Sequence, residues 1–277
     1  MELPKRKLGK TGVDVTILGL GGEGVLRTYG HEREAEDLIH RAIDLGINYF
    51  ESARAYSGSE SYYGRSLRER RKEIFLTSKS HARSKKGALL HLQETLRNMK
   101  TDHLDLWQVH DVRTEEEMDE IFGPHGALEA FVEARDKGLV RFIGVTGHHD
   151  PLITQRCLQR FDFDTVLIPV NPAEPAYKSY LTEVIPQAKK KGMGIVGMKA
   201  YLRGFADRLP WFETMEPFFR FALSQPIATA VIGCDDVEQL EENVKLAASF
   251  APMTEKESQE LTGKVSSYAR ELMYYKP

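Results

Sequence analysis

Two cysteines in 277 residues, Cys157 and Cys234, are too few and too far apart for a disulfide framework. Neither belongs to a CxxC or to a Cys/His spacing that would hold zinc, so no metal is expected, and the scarcity points to a reducing, cytoplasmic setting. Long hydrophobic runs are also missing. No stretch approaches the roughly 20 apolar residues of a membrane span, and Met1-Glu2-Leu3-Pro4-Lys5-Arg6-Lys7 lacks the apolar core of a signal peptide, so no membrane partner is expected. Nor does one sign of charge dominate. Lys and Arg number 38 against 41 Asp and Glu, a net of −3, and no basic field recommends nucleic acid. No repeat, low-complexity tract or Pro/Gly-rich linker divides the chain, which suits one domain over 1–277.

What the sequence does have is an alternation. From about residue 16 to 250, short β-rich runs take turns with longer amphipathic segments, the pattern of βα units. The spacing predicts strands at 16–20, 48–50, 74–78, 104–109, 142–145, 165–169, 194–198 and 228–232. It predicts helices at 32–45, 59–70, 86–98, 115–137, 151–160, 180–191, 211–224 and 237–249. Lys137-Gly138 and Lys191-Gly192 each put a basic residue and then a glycine at a helix end just ahead of a strand. Eight strands, each followed by a helix, is the arithmetic of an α/β fold, the (β/α)8 TIM barrel, with a doubly wound sheet as the competing architecture. The residues before Thr16, turning at Lys10-Thr11-Gly12, suit an N-terminal capping hairpin, and 253–272 suits an extra C-terminal helix.

Four residues stand at or just past strand ends, where a parallel barrel builds its active site: Glu51, Tyr56, Lys79 and His110. A tyrosine with a reference pKa of about 10 gives up its proton near neutrality only beside groups that favour the phenolate. A lysine ammonium is such a group, a carboxylate can hold that lysine, and a histidine can place or share the proton. These types suit protonation of a carbonyl oxygen as hydride reaches its carbon. No side chain supplies hydride, so a nicotinamide cofactor is implied. Taken singly, each residue is an ordinary rim side chain, and the four together on three consecutive strands carry the reading.

The segment from Asn48 through Glu51-Ser52-Ala53-Arg54-Ala55-Tyr56 to Glu60, followed by Lys79 and by Asp105-Leu106-Trp107-Gln108-Val109-His110, resembles the aldo-keto reductase superfamily. The likeness extends from Leu8-Gly9-Lys10-Thr11-Gly12 through Gly138 to Thr146 and on to Ile232-Gly233 and Glu238 to Asn243. It implies a (β/α)8 barrel that reduces an aldehyde or ketone, a small-molecule carbonyl partner, with NADP(H) or NAD(H). Tyr56 falls at the family's general acid/base, Lys79 at its pKa-lowering partner and His110 at its substrate-orienting residue. Glu51 stands where aspartate is usual, one methylene longer. On the cofactor side the resemblance assigns Thr146, Gly147, Asn171, Met198, Lys199, Gly233, Cys234, Asp235, Gln239 and Asn243. Gly147 replaces a side chain that binds the carboxamide, Leu167 stands where an amide is common, and Met198 replaces a stacking aromatic. Asp235 and Asp236 would repel a 2′-phosphate, which favours NAD(H). The departures keep a second expectation open, a nicotinamide-binding sensor or regulatory subunit with little turnover. A third is a lyase using Lys79 or Lys199 as a Schiff-base amine.

Other features carry less. His81, His103 and His148-His149-Asp150 form no metal spacing. Gly19, Gly21 and Gly24 fit GxGxxG, but the helical pattern starts only near Glu32, so they read as a flexible loop or as room at the rim. Trp211, Phe212, Phe218 and Phe219 read as core on an amphipathic helix.

Overall fold

The computed structural model describes residues 2–277. A hairpin of β1 (Lys5–Lys7) and β2 (Asp14–Thr16), paired antiparallel with Arg6 opposite Val15, precedes the main sheet. Eight parallel strands follow: β3 (Leu18–Gly24), β4 (Tyr49–Glu51), β5 (Phe75–Ser80), β6 (Leu104–Val109), β7 (Val140–Thr146), β8 (Thr165–Pro169), β9 (Gly194–Met198) and β10 (Thr229–Cys234). They close as a barrel, β10 pairing with β3 at Ala230 opposite Leu18, so the barrel expectation holds and the doubly wound sheet does not.

Alternation along the strands sorts the side chains. Tyr49, Phe75, Leu106, Leu167, Val196 and Val231 point inward and pack together, with Leu8 and Val15 of the hairpin segment plugging that interior from below. Phe50, Leu76, Trp107 and Val166 point outward into the larger core under the helices, where Trp107 stacks on Phe131 at 3.7 Å between ring centroids. The same period places Glu51, Lys79 and Met198 on inward positions at the carboxyl ends of their strands.

Several elements depart from the expected boundaries. The helix expected at 115–137 is two, Glu115–Phe122 and Ala127–Asp136, parted at Gly123-Pro124-His125-Gly126. A Cβ on Gly126 would lie 2.3 Å from the carbonyl oxygens of Glu120 and Ile121, so that corner admits only glycine. Pro186 splits 180–191 into Tyr180–Glu183 and Ile185–Lys190, because a proline nitrogen cannot donate to the preceding turn. The helix expected at 59–70 stops at Ser66 and continues as 3-10 turns over Arg68–Glu73. That at 211–224 covers only Glu216–Ser224, and the tail carries Glu255–Ser266 and a short turn at Ala269–Leu272. Gly19, Gly21 and Gly24 lie within β3 and not in a loop. A Cβ on Gly21 would sit 2.9 Å from Gly233 N, and one on Gly22 would sit 2.7 Å from Glu51 O. The glycines let β3 close against both neighbours.

Candidate active site

Glu51 ends β4 pointing inward, 3% exposed, and its two oxygens have different partners. Oε2 accepts from Gly22 N at 2.9 Å, while Oε1 is in ion-pair contact with Lys79 Nζ. The extra methylene relative to aspartate therefore leaves the contact in place. Lys79 is wholly buried, and its ammonium also donates to Ser52 O at 2.9 Å and to Tyr56 Oη at 3.4 Å. Burial pushes Lys79 well below its ordinary pKa against the opposing pull of the Glu23 carboxylate, while Glu51 is the carboxylate in direct contact with the ammonium.

Tyr56 sits in the loop after β4, half-buried, with Lys79 Nζ 4.5 Å and the Arg27 guanidinium 4.9 Å from its ring centroid. Burial, and next the Glu23 carboxylate, raise its pKa, while Arg27 and Arg203 oppose the shift. His110 follows β6, 6% exposed, its ring edge-on to Tyr56 at 6.0 Å between centroids. Burial and then Lys79 push His110 well below its ordinary value, which leaves a neutral imidazole whose Nδ1 has no partner.

Glu51, Tyr56 and His110 line one end of a cleft of about 1240 Å³, with Lys79 buried behind them, and the cleft continues across β10 to the helix Val237–Ala248. Of the ten residues assigned to the cofactor, Met198, Lys199, Gly233, Asp235, Gln239 and Asn243 line it. Thr146 does not, because its hydroxyl accepts from Asp111 N at 2.7 Å. Gly147 is packed from behind: a Cβ there would lie 2.0 Å from Thr154 Oγ1 and 2.9 Å from Tyr180 Oη. Cys234 is buried with its Sγ accepting from Asn243 Nδ2 at 3.5 Å. Asn171 is fully buried; its Oδ1 accepts from Ala173 N at 3.0 Å, and its Nδ2 has no partner. At the far end Asp236 caps the helix, accepting from Gln239 N at 2.8 Å, while Asp235 stays exposed beside it.

Residues 17–210 match the Aldo/keto reductase family. The chain belongs to that family. Among curated proteins it is 26% identical over 298 residues to an uncharacterized oxidoreductase, YqkF, of Bacillus subtilis, a match covering 91% of this chain and 94% of the relative. Among solved structures it superposes on an aldo-keto reductase from Bacillus halodurans in its holo form, with TM-score 0.79, 22% identity and coverage of 95% and 96%. It also superposes on an aldo-keto reductase from Klebsiella pneumoniae in complex with NADPH, with TM-score 0.78, 17% identity and coverage of 96% for both chains. Family members use NAD(P)H, and this aldo/keto reductase is an oxidoreductase of that type.

The residues present fit a nicotinamide dinucleotide: the cleft runs from Met198 at the barrel mouth to Gln239 and Asn243 on the helix after β10, and two polar atoms of its lining residues, His110 Nδ1 and His148 Nε2, lack partners. Many contributors to this reductase's cleft were not among the assigned residues, His148, Arg27 and Tyr275 among them. His148 joins it from the loop after β7, its Nδ1 bonded to Lys199 Nζ at 2.6 Å. Arg27 comes from the turn after β3. Tyr275 comes from the last residues of the chain, where Lys276 Nζ pairs with Glu174 at 2.6 Å and donates to Lys178 O at 2.9 Å. The pair Tyr274-Tyr275 ahead of a lysine was the only signal of that tail. Of the aromatic group, Phe218 and Phe219 are core, but Phe212 lies outside the helix and lines the cleft. Among the described residues no three His, Cys, Asp or Glu side chains gather to hold a metal, and no helix is long and apolar enough to cross a membrane.

Proposed function

We propose that this aldo/keto reductase reduces an aldehyde or ketone to the alcohol, with Tyr56 as the proton donor. The observation that carries the reading is the Lys79 ammonium, wholly buried and bonded at once to Glu51, Ser52 O and Tyr56 Oη. Burial alone makes the phenol a poor acid. A cation 3.4 Å from its oxygen stabilises the phenolate as the proton leaves, and Glu51 keeps that cation charged and aimed. His110, neutral at pH 7, carries a proton on one ring nitrogen and can hold the carbonyl oxygen for Tyr56 without competing for charge. When bound, the nicotinamide supplies hydride to the carbonyl carbon. Tyr56 then gives its proton to the oxygen and is reprotonated from solvent once product leaves.

Met198 would hold the nicotinamide half of the cofactor, and Gly233, Asp235, Gln239 and Asn243 the adenosine half, with Asn171 buried behind the cleft wall. Asp235 and Asp236, at the start of the helix Val237–Ala248, would repel a 2′-phosphate bound beside them, which favours NADH; a catalytic efficiency tenfold or more in favour of NADPH, about 1.4 kcal/mol, would contradict this. The second reading is a nicotinamide-binding regulatory protein with little turnover. The tail favours it, because Lys276 and Glu174 hold Tyr275 in the cleft.

Titration with NADPH and NADH by nicotinamide fluorescence, then turnover on a panel of small aldehydes and ketones, separates the two. Turnover abolished in Tyr56→Phe supports the reductase, whereas tight binding with no turnover supports the regulatory reading.

A further inference from the structure

The charges at the head of the cleft and just behind it are mostly matched. Lys79 is paired with Glu51, Arg27 with Glu23 at 2.8 Å, and Arg113 with Asp111 at 2.7 Å. Lys199 is not. Among the described residues its ammonium has no carboxylate partner; it donates to His148 Nδ1 at 2.6 Å, touches Met198 Sδ at 3.6 Å and lies 4.5 Å from the Tyr275 ring centroid. A thioether is a weak acceptor and a ring face takes no directed hydrogen bond, so an ammonium with three donors has one strong acceptor. A half-buried cation left this way is costly to keep, and such groups gather where a ligand completes them.

Its position says which ligand. Lys199 follows β9 with φ 57°, in the left-handed region, and its side chain crosses over β8 to the loop after β7. That is away from β10 and the helix Val237–Ala248. The His148 ring it reaches lies 5.6 Å from that of His110, which meets Tyr56 at 6.0 Å. Lys199 therefore belongs to the end of the cleft where a carbonyl would be reduced. Because His148 Nδ1 accepts from the ammonium, its Nε2 carries the proton, and that donor too has no partner. Above them Arg203, exposed at the mouth and bonded to the Tyr274 hydroxyl, adds a second cation without a carboxylate partner.

We propose that Lys199, with His148, recognises a carboxylate carried by the carbonyl substrate, so that this reductase acts on oxo acids in preference to neutral aldehydes and ketones. The proposal rests on the reductase reading and names its substrate class. Burial holds Lys199 down to about 7, so it is only part-charged at neutrality, and an arriving anion completes its protonation.

The test compares matched pairs with NADPH and with NADH as cofactor: glyoxylate against acetaldehyde, and 4-oxobutanoate against butanal, in the wild type, Lys199→Met and Lys199→Arg. Alongside, succinate binding to the cofactor-free protein is measured by calorimetry. The wild type is expected to favour at least one acid over its neutral partner tenfold or more in kcat/KM. Lys199→Met is expected to lower that ratio at least tenfold through KM and to lose succinate binding, and Lys199→Arg to restore both in part. Equal use of acids and neutral carbonyls by the wild type overturns the proposal alone. So does a Lys199→Met protein that binds NADPH tenfold more weakly and loses both substrate classes alike, since Lys199 then serves the cofactor. No turnover of any of the four, with succinate binding still dependent on Lys199, sinks the reductase reading and leaves carboxylate recognition standing.

Discussion

Two lysines in this chain have side chains fully buried against glutamates, and they sit in opposite mechanical settings. Lys79 belongs to β5, whose register with β4 is fixed by pairing of Glu51 with Thr77, and its ammonium reaches a phenol at the cleft. Lys276 follows the short helical turn Ala269–Leu272. It has no strand to hold it, and its ammonium donates to Glu174 and to the carbonyls of Tyr177 and Lys178, with the Tyr180 ring centroid 5.2 Å away. Burial lowers the pKa of both lysines. In the first pair a rigid fold positions the charge, and the charge is free to act on Tyr56. In the second the charge ties the segment after Ala269–Leu272 to Glu174, and with it Tyr275 in the cleft. A buried ion pair contributes little net stability against an apolar replacement, so what each pair positions matters more than its strength.

The largest effect should come from the first pair. Tyr56→Phe and Lys79→Met are each expected to lower kcat by roughly 10²- to 10⁴-fold, the range of a lost proton-transfer residue. Thermal melts of both proteins check that the fold survives. Glu51→Gln keeps the shape but removes the charge that holds Lys79 protonated, and a smaller loss is expected, steepening as pH rises, in a kcat profile.

The second pair should show itself in stability. Lys276→Met leaves the Glu174 carboxylate buried without its cation, which costs up to about 3–5 kcal/mol in a rigid interior and less where the tail can swing away. Urea denaturation measures the loss, and adding Glu174→Gln should recover part of it. A loss as large for turnover as for stability would erase the distinction between the pairs.

A third expectation concerns Lys199, which has His148, Met198 and Tyr275 against it, with Glu23, Asp111, Glu174 and Arg203 acting at longer range. Its pKa of about 7 means that the cation is present below that pH and lost above it. KM for an acidic carbonyl should therefore rise with pH above 7 while that for butanal stays flat. The smallest effect is on the thiols. Burial pushes Cys157 and Cys234 up to about 12, so neither should react with Ellman's reagent at pH 8 until the protein unfolds.

The two pairs also mark how far the sequence could be read. Barrel, strand order and the cluster of Glu51, Tyr56, Lys79 and His110 were legible because alternation within a strand and its carboxyl end are local properties. The breaks at Gly126 and Pro186 were visible as residues but not as interruptions, since helical periodicity continues across them. Thr146 and Gly147 align with a binding motif, yet the Asp111 amide and the Tyr180 ring decide what they can touch. Asp111 and Tyr180 lie 35 residues before and 33 after those positions. The tail was illegible for the same reason: Lys276 finds Glu174 across 102 residues, and nothing near Lys276 announces its partner.

The measurement closest to the central claim is the rate of NADPH and NADH oxidation with a panel of acidic and neutral aldehydes, in the wild type and in Tyr56→Phe. Turnover by the wild type that falls at least a hundredfold in Tyr56→Phe, with cofactor binding retained, is the predicted result. Equal turnover by both proteins would contradict it, because the phenol held by Lys79 would then not be the proton donor.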